Sequence, residues 1–263
     1  MDGPSGVADA IANPPAPCAA AAPLAVRVTG ARLCFDGRPV FENLDFSLEG
    51  GVTTCLLGPS GVGKSSLLRL VAGLEPPGPG ATIAAGDGGP LAGRIAWMAQ
   101  RDLLLPWASV LDNVLTGPRL RGVTPDAAMR RRAHDLLDEV GLADRAGARP
   151  DALSGGMRQR VALARTLFED RAVVLMDEPF SALDALTRLR LQDLSARLLA
   201  GRTVLLVTHD PLEALRLGHR IHVMTGRPAG IGPALEPPGA PPRPVGDPAL
   251  LALQAELLGR LAS

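Results

Sequence analysis

The sequence predicts an α/β fold in which parallel strands alternate with helices. Three observations carry that expectation. The apolar run Val52–Leu57 ends at a glycine-rich turn, Gly58–Ser65, after which the hydrophobic period becomes helical. Two further short, continuous apolar runs, Val173–Met176 and Val204–Val207, have the form of central parallel strands covered on both faces. A leucine-rich helical stretch separates them and ends at Gly201.

The elements follow in order. Leu24, Val26 and Val28, then Leu44, Phe46 and Leu48, alternate as half-buried strands do, with Asp36-Gly37 as a turn between them. Leu67, Leu68, Leu70 and Val71 read as a helix that stops at Gly73. Residues 76–90 are a Pro/Gly-rich loop region around a short strand, Thr82–Ala84, and Ile95–Met98 is another strand, leading to Gln100. After a further helical stretch, Thr124 is expected as an N-cap with Pro125 in the first turn, Ala133, Leu136, Leu137 and Val140 as the apolar face, and Gly141 as the stop. The next helix starts near Ser154. Beyond Met224, two proline-rich loops lead to an amphipathic helix capped by Asp247 and Pro248, which carries Leu250, Leu253, Leu257 and Leu261 and is expected to pack as an appendage.

Composition narrows the class. The chain has 263 residues, enough to bury a sizeable core, and its 46% hydrophobic and 21% charged residues exclude wholesale disorder. Lys+Arg and Asp+Glu both number 27, so no basic field argues for nucleic acid as a partner. The positive residues are nonetheless uneven, with 26 arginines and one lysine, Lys64. Cys18, Cys34 and Cys55 are odd in number and lack metal-ligand spacing, which fits a reducing compartment. Residues 1–23 are Ala/Pro-rich without a positive residue before the apolar stretch, and read as a disordered tail rather than a secretory signal. No apolar run approaches the roughly 20 residues that span a bilayer, so a membrane connection has to come through a partner.

Three motifs carry chemistry. Gly58-Pro59-Ser60-Gly61-Val62-Gly63-Lys64-Ser65, with Ser66 following, matches the phosphate-loop pattern G-x-x-x-x-G-K-[ST] between a strand and a helix. Its backbone N–H groups can cradle phosphate, Lys64 can reach the β- and γ-phosphates, and the Ser65 hydroxyl can ligate Mg²⁺. Asp177 and Glu178 close an apolar strand; beside a phosphate loop, the first acid suits Mg²⁺ and the second suits the attacking water. Leu153-Ser154-Gly155-Gly156-Met157-Arg158-Gln159 opens a helix with a serine cap and two glycines, a second place suited to an anion. One chain thus carries two phosphate-seeking helix starts but a single lysine and a single acid pair.

These segments, together with Gln100, Ser181-Ala182-Leu183-Asp184 and His209, resemble in order the ATPase subunit of ATP-binding-cassette (ABC) transporters over about residues 24–229. The resemblance implies a P-loop NTPase (RecA-like) core with an antiparallel β subdomain and a helical signature subdomain at about residues 101–160. Residues 230–263 then form a Pro-rich C-terminal extension. It implies ATP and Mg²⁺ as ligands, and a head-to-tail homodimer in which each ATP lies between one phosphate loop and the partner's signature helix. Gln100 then corresponds to the glutamine contacting Mg²⁺ and water, Glu178 to the catalytic base, His209 to the histidine holding the γ-phosphate, and Asp184 to the aspartate communicating across the dimer. Phe35 stands where the family commonly stacks a tyrosine on adenine; a strand phenylalanine in the core is the other reading of it.

With no spanning segment, the resemblance implies separate polytopic membrane subunits, a solute-binding protein, and a peripheral position on the cytoplasmic face of the plasma membrane. A soluble ABC ATPase with a non-transport role is the alternative. Leu104-Leu105-Pro106-Trp107, Val110–Val114 and residues 178–188 resemble importer ATPases for nitrate, sulfonates and taurine, a group that includes thiamine-precursor pyrimidine importers. The Met98-Ala99-Gln100 form leans toward the pyrimidine members. Leu103–Trp107 is either an exposed docking patch for the membrane subunit or part of the subdomain's own core.

Overall fold

A computed structural model describes residues 23–262, so all but the last residue of the expected tail, Cys18 included, lie outside the described residues. Strands β1 (Val26–Phe35) and β2 (Arg38–Leu48) form an antiparallel hairpin, and β3 (Thr53–Leu57) runs into helix α1 (Lys64–Val71). Strands β4 (Thr82–Ala85) and β5 (Ile95–Met98) precede four helices, α2 (Val110–Val114), α3 (Thr116–Leu120), α4 (Ala127–Glu139) and α5 (Gly155–Phe168). Then come β6 (Val173–Asp177), α6 (Ala185–Leu198), β7 (Thr203–Thr208), α7 (Pro211–Leu217), β8 (Arg220–Gly226), β9 (Ala229–Ile231) and α8 (Pro248–Ala262).

Two sheets result, a three-stranded antiparallel one in the order β2-β1-β4 and a six-stranded one in the order β5-β6-β7-β3-β8-β9. The larger sheet is parallel except for β9. Every residue of β6 and β7 is buried, which is why both read as unbroken apolar runs rather than as alternation. The carboxyl ends of β3, β5, β6 and β7 lie along one edge of this sheet, where ligands of open α/β folds bind. In the hairpin, Asp36 and Gly37 both take positive φ (50° and 73°), as a two-residue turn matched to the strand twist requires.

Helices α2 and α4 pack on α5 and on each other around Val110, Val114, Ala133, Leu137 and Val161. Two expectations change here. The N-cap of α4 is Asp126, whose carboxylate accepts the Met129 N–H at 2.8 Å, and not Thr124; a carboxylate next to the first turn also favours the positive helix end. The region after His209 contains α7, β8 and β9, elements the sequence reading did not assign. α8 packs on α7 and β8, burying Leu250 and Leu257 and leaving Leu253 and Leu261 partly covered. Cys34 and Cys55 are free thiols.

Candidate functional site

The phosphate loop leaves β3 and closes against two neighbours. A Cβ on Gly58 would stand 2.5 Å from the Met224 carbonyl oxygen, and one on Gly63 would stand 2.6 Å from Val40 Cγ1. Gly63 is also the N-cap of α1 with φ 117°, and no side chain caps that helix, so its first-turn N–H groups face outward for an anion. Lys64 is buried. Its Nζ donates to the Gly58 and Pro59 carbonyls at 2.7 and 3.0 Å, which holds the ammonium inside the loop with a donor to spare. Burial lowers its pKa, while the charges of Glu178 and Asp177 act in the opposite direction.

Asp177 ends β6 beside Ser65, whose hydroxyl bonds its carboxylate. Its Oδ1 is buried and, among the described residues, has no hydrogen-bond partner. Burial pushes its pKa up, the Ser65 bond opposes this, and Glu178 adds to the rise. An orphaned buried carboxylate oxygen beside a serine hydroxyl is an all-oxygen donor set suited to Mg²⁺. Glu178 follows at φ 47°, a strained left-handed position for a non-glycine residue, while its N–H continues the ladder to Val207 O at 2.9 Å. Its carboxylate meets two side chains from neighbouring strand ends: His209 Nδ1 lies 3.2 Å from Oε1, and Gln100 Nε2 donates to Oε2 at 3.4 Å. Gln100, Glu178 and His209, far apart in sequence, therefore form one cluster.

Phe35 ends β1 and is half exposed, whereas Phe41 of the same hairpin fills the core, so the core reading of Phe35 falls. The contact of Val40 with the Gly63 position ties this hairpin to the phosphate loop. The signature segment lies elsewhere. Ser154 caps α5 by accepting the Met157 N–H at 3.3 Å, and Ser154 and Gly155 are exposed. Among the described residues no hydrogen bond or ion pair joins this segment to the phosphate loop.

The ABC transporter family profile matches residues 41–181, more than half of the chain. The chain belongs to the ABC transporter ATP-binding family. It is 49% identical over 225 residues to an aliphatic sulfonates import ATP-binding protein, SsuB 1, of Rhodococcus jostii, covering 84% of this chain and 87% of that one. The SsuB 1 protein of Pseudomonas savastanoi pv. phaseolicola is 45% identical, covering 88% and 93%. Among solved structures, the dimeric ATP-binding cassette MJ0796 in a post-hydrolysis state with ADP and Pi superposes with a TM-score of 0.71 at 27% identity, covering 82% of this chain and all of that one.

Within this ABC cassette, two sequence assignments shift. Leu153 and Gln159 are buried in the chain's own interior, with the Gln159 amide donating to Pro179 O at 3.1 Å, so neither is placed to face a partner's nucleotide. The Gln159 bond holds the signature helix to the segment after Glu178. Gly156 serves the same join, since a Cβ there would stand 3.2 Å from Ala182 O. Arg158 is engaged by Asp102 at 3.0 Å. Asp184 is exposed and caps α6, accepting the Thr187 N–H at 3.0 Å, and that bond holds its carboxyl below the usual range. The two readings of Leu103–Trp107 divide between residues. Leu104 packs on the core, while Leu103 and Trp107 are 55% and 71% exposed and Trp107 borders a groove of about 300 Å³ with Leu105, Asp112 and Leu120.

One buried acid near the site was missed by sequence reasoning. Glu213 in α7 lines a cavity of about 50 Å³ together with Glu178, Arg188, Thr208, His209 and Asp210. Burial pushes its pKa from 4.5 up to about 7; Asp210 adds to the rise, and the Thr208 and Gln192 bonds and Arg188 oppose it. Because the folded form then holds a proton that the unfolded chain has released, stability falls as pH rises from about 4.5 through 7. Glu213→Gln is expected to flatten this slope, exceeding the wild type by of order 3 kcal/mol in urea unfolding at pH 8 and by little at pH 5. Parallel pH profiles for the two proteins are the outcome against it.

Proposed function

We propose that this chain is the ATP-hydrolysing motor subunit of an importer. It pairs head to tail with a second copy and docks on separate polytopic membrane subunits at the cytoplasmic face. The observation that carries this reading is the cluster of Gln100, Glu178 and His209 beside a closed phosphate loop, in a chain whose signature serine and glycine are exposed and, among the described residues, make no hydrogen bond to that loop. The dimeric state of the cassette MJ0796 supports the pairing.

Lys64 and the first-turn N–H groups of α1 bind the β- and γ-phosphates, and Phe35 offers a π face to the adenine. Ser65 and Asp177 would hold Mg²⁺, which neutralises charge on the phosphates when bound. Glu178 accepts the proton of the attacking water. Gln100 and His209 fix the Glu178 carboxylate between them, and Nδ1 contact with Glu178 leaves His209 Nε2 for the γ-phosphate. Ser154 and Gly155 complete the partner's site.

Trp107, Leu103 and Leu120 form the docking patch for the membrane subunit, and no helix among the described residues is long and apolar enough to cross a membrane itself. For the solute, the SsuB relatives support an aliphatic sulfonate and outweigh the Met98-Ala99-Gln100 form. The tagged chain is expected to co-purify from detergent-extracted membranes with a polytopic protein, and the complex to hydrolyse ATP faster with a solute-binding protein loaded with an alkanesulfonate. Recovery only in a soluble complex would overturn the transport role. Stimulation by a pyrimidine and not by a sulfonate would overturn the solute alone.

A further inference from the structure

We propose that a polar chain running Arg243–Arg216–Gln192–Glu213–Asp210 couples the C-terminal segment to the turn that carries His209, with Arg216 as its positioning residue for hydrolysis. The proposal rests on the role given to His209 above.

Arg243 is 2% exposed and, among the described residues, pairs with no carboxylate; its guanidinium donates instead to five carbonyl oxygens. Two of these, Leu215 O and Gly218 O, each at 2.8 Å, belong to the end of α7, where a cation complements the helix dipole. The other three, from Pro237, Pro238 and Gly239, tie down the proline-rich segment. The Arg243 N–H also donates to Arg216 O at 3.0 Å. So placed, Arg243 clamps the far end of α7 to the C-terminal segment.

Arg216 continues the path. It donates from Nη1 to Arg243 O at 3.1 Å and from Nε to Gln192 Oε1 at 3.2 Å, and pairs with Asp193. The Gln192 amide then donates to Glu213 Oε2 at 3.2 Å, and Glu213 lines one cavity with Thr208, His209 and Asp210, its own N–H donating to Asp210 Oδ1 at 3.4 Å. Asp210, the residue after His209, is fixed from the same helix: it caps α7 through Leu212 N at 2.9 Å, and its own N–H donates to Thr208 Oγ1 at 3.1 Å. α7 has only seven residues, about 10 Å of helix, and is too short to hold its own orientation. Its placement, and hence that of the turn carrying His209, depends on these side-chain bonds.

The test is a double-mutant cycle on the full chain with ATP and Mg²⁺. Arg216→Lys keeps the charge but cannot bridge Arg243 O and Gln192 together. It is expected to lower kcat about tenfold with KM within about twofold, and to cause no further loss in a His209→Ala background. Gln192→Met, of similar size, breaks the path one link nearer the histidine and is expected to behave alike if Arg216→Lys fails to melt cooperatively. A folded variant with wild-type kcat overturns the proposal, as does an equal loss with and without His209, which marks a merely structural effect. If His209→Ala alone leaves kcat unchanged, the catalytic reading of the histidine fails first and the proposal falls with it. A loss with His209→Ala but additivity in the cycle overturns the coupling only.

Discussion

Replacing Lys64 with arginine is expected to reduce ATP turnover by more than about 100-fold although the charge is unchanged, the scale of losing one group that stabilises transition-state charge. The reason is room. Lys64 Nζ sits inside the loop it belongs to, held by the Gly58 and Pro59 carbonyls, and the loop is closed from outside by Met224 O and Val40 at distances that exclude even a methyl group. A slim ammonium on a flexible stem fits that enclosure and still has a donor for phosphate. A planar guanidinium needs more width and directs its donors in a fixed fork. The composition makes the same point, since every other positive residue of the chain is arginine. Phosphate release and thermal melting measured on the same preparations check the prediction; a folded Lys64→Arg protein that turns over within about threefold of wild type would mean that the lone lysine reflects compositional drift.

The parts of the fold legible from sequence were those in which burial is two-sided or a turn has a strict chemistry. β6 and β7 showed as unbroken apolar runs because both faces are covered, and the Asp36-Gly37 turn showed because both of its residues need positive φ. α7 and β8 were not legible. α7 is seven residues long and buries Glu213 and Arg216, so its pattern lacks the clean apolar stripe from which helices are read. β8 alternates through Arg220 and His222; Arg220 pairs with Glu49 and Glu236 and His222 meets Gly232 O, partners distant enough that no local pattern announces them. The misplaced cap of α4 has a local cause: Thr124, Pro125 and Asp126 all suit a helix start, and only the geometry of the Met129 N–H distinguishes them.

For the site, the strand-end acid pair marked Glu178 and the family resemblance marked Gln100 and His209, but neither showed that the glutamate carboxylate joins the other two. The signature segment was over-read in the opposite way. A motif names consecutive residues, whereas on a helix only one face is available, and Leu153 and Gln159 point to the interior. The Arg243 clamp left no trace at all. An arginine among prolines carries no signature when its partners are five backbone carbonyls, groups that every residue possesses.

Glu178→Gln is expected to abolish hydrolysis, by about 10³-fold, while nucleotide binding and ATP-dependent dimerisation persist. The substitution keeps the size of the side chain, and the amide oxygen still accepts from one of its neighbours, Gln100 and His209, while the other bond re-forms once the Gln100 amide turns, so the cluster retains its shape. What it loses is the proton acceptor. It also removes a negative charge that raises the Asp177 pKa and opposes the phosphates of ATP, so Asp177 ionises more readily and the binding of an anionic nucleotide with Mg²⁺ is eased. Binding and turnover are thereby pulled in opposite directions. Size-exclusion chromatography is expected to show a dimer that accumulates with ATP and Mg²⁺ but not with ADP, and phosphate release to fall to background. The wild type should give no lasting dimer under the same conditions, because hydrolysis reopens the pair. A Glu178→Gln protein that releases phosphate at the wild-type rate removes Glu178 as the base. One that is inactive yet fails to dimerise with ATP leaves the base in place and removes instead the nucleotide-bridged pairing through Ser154 and Gly155.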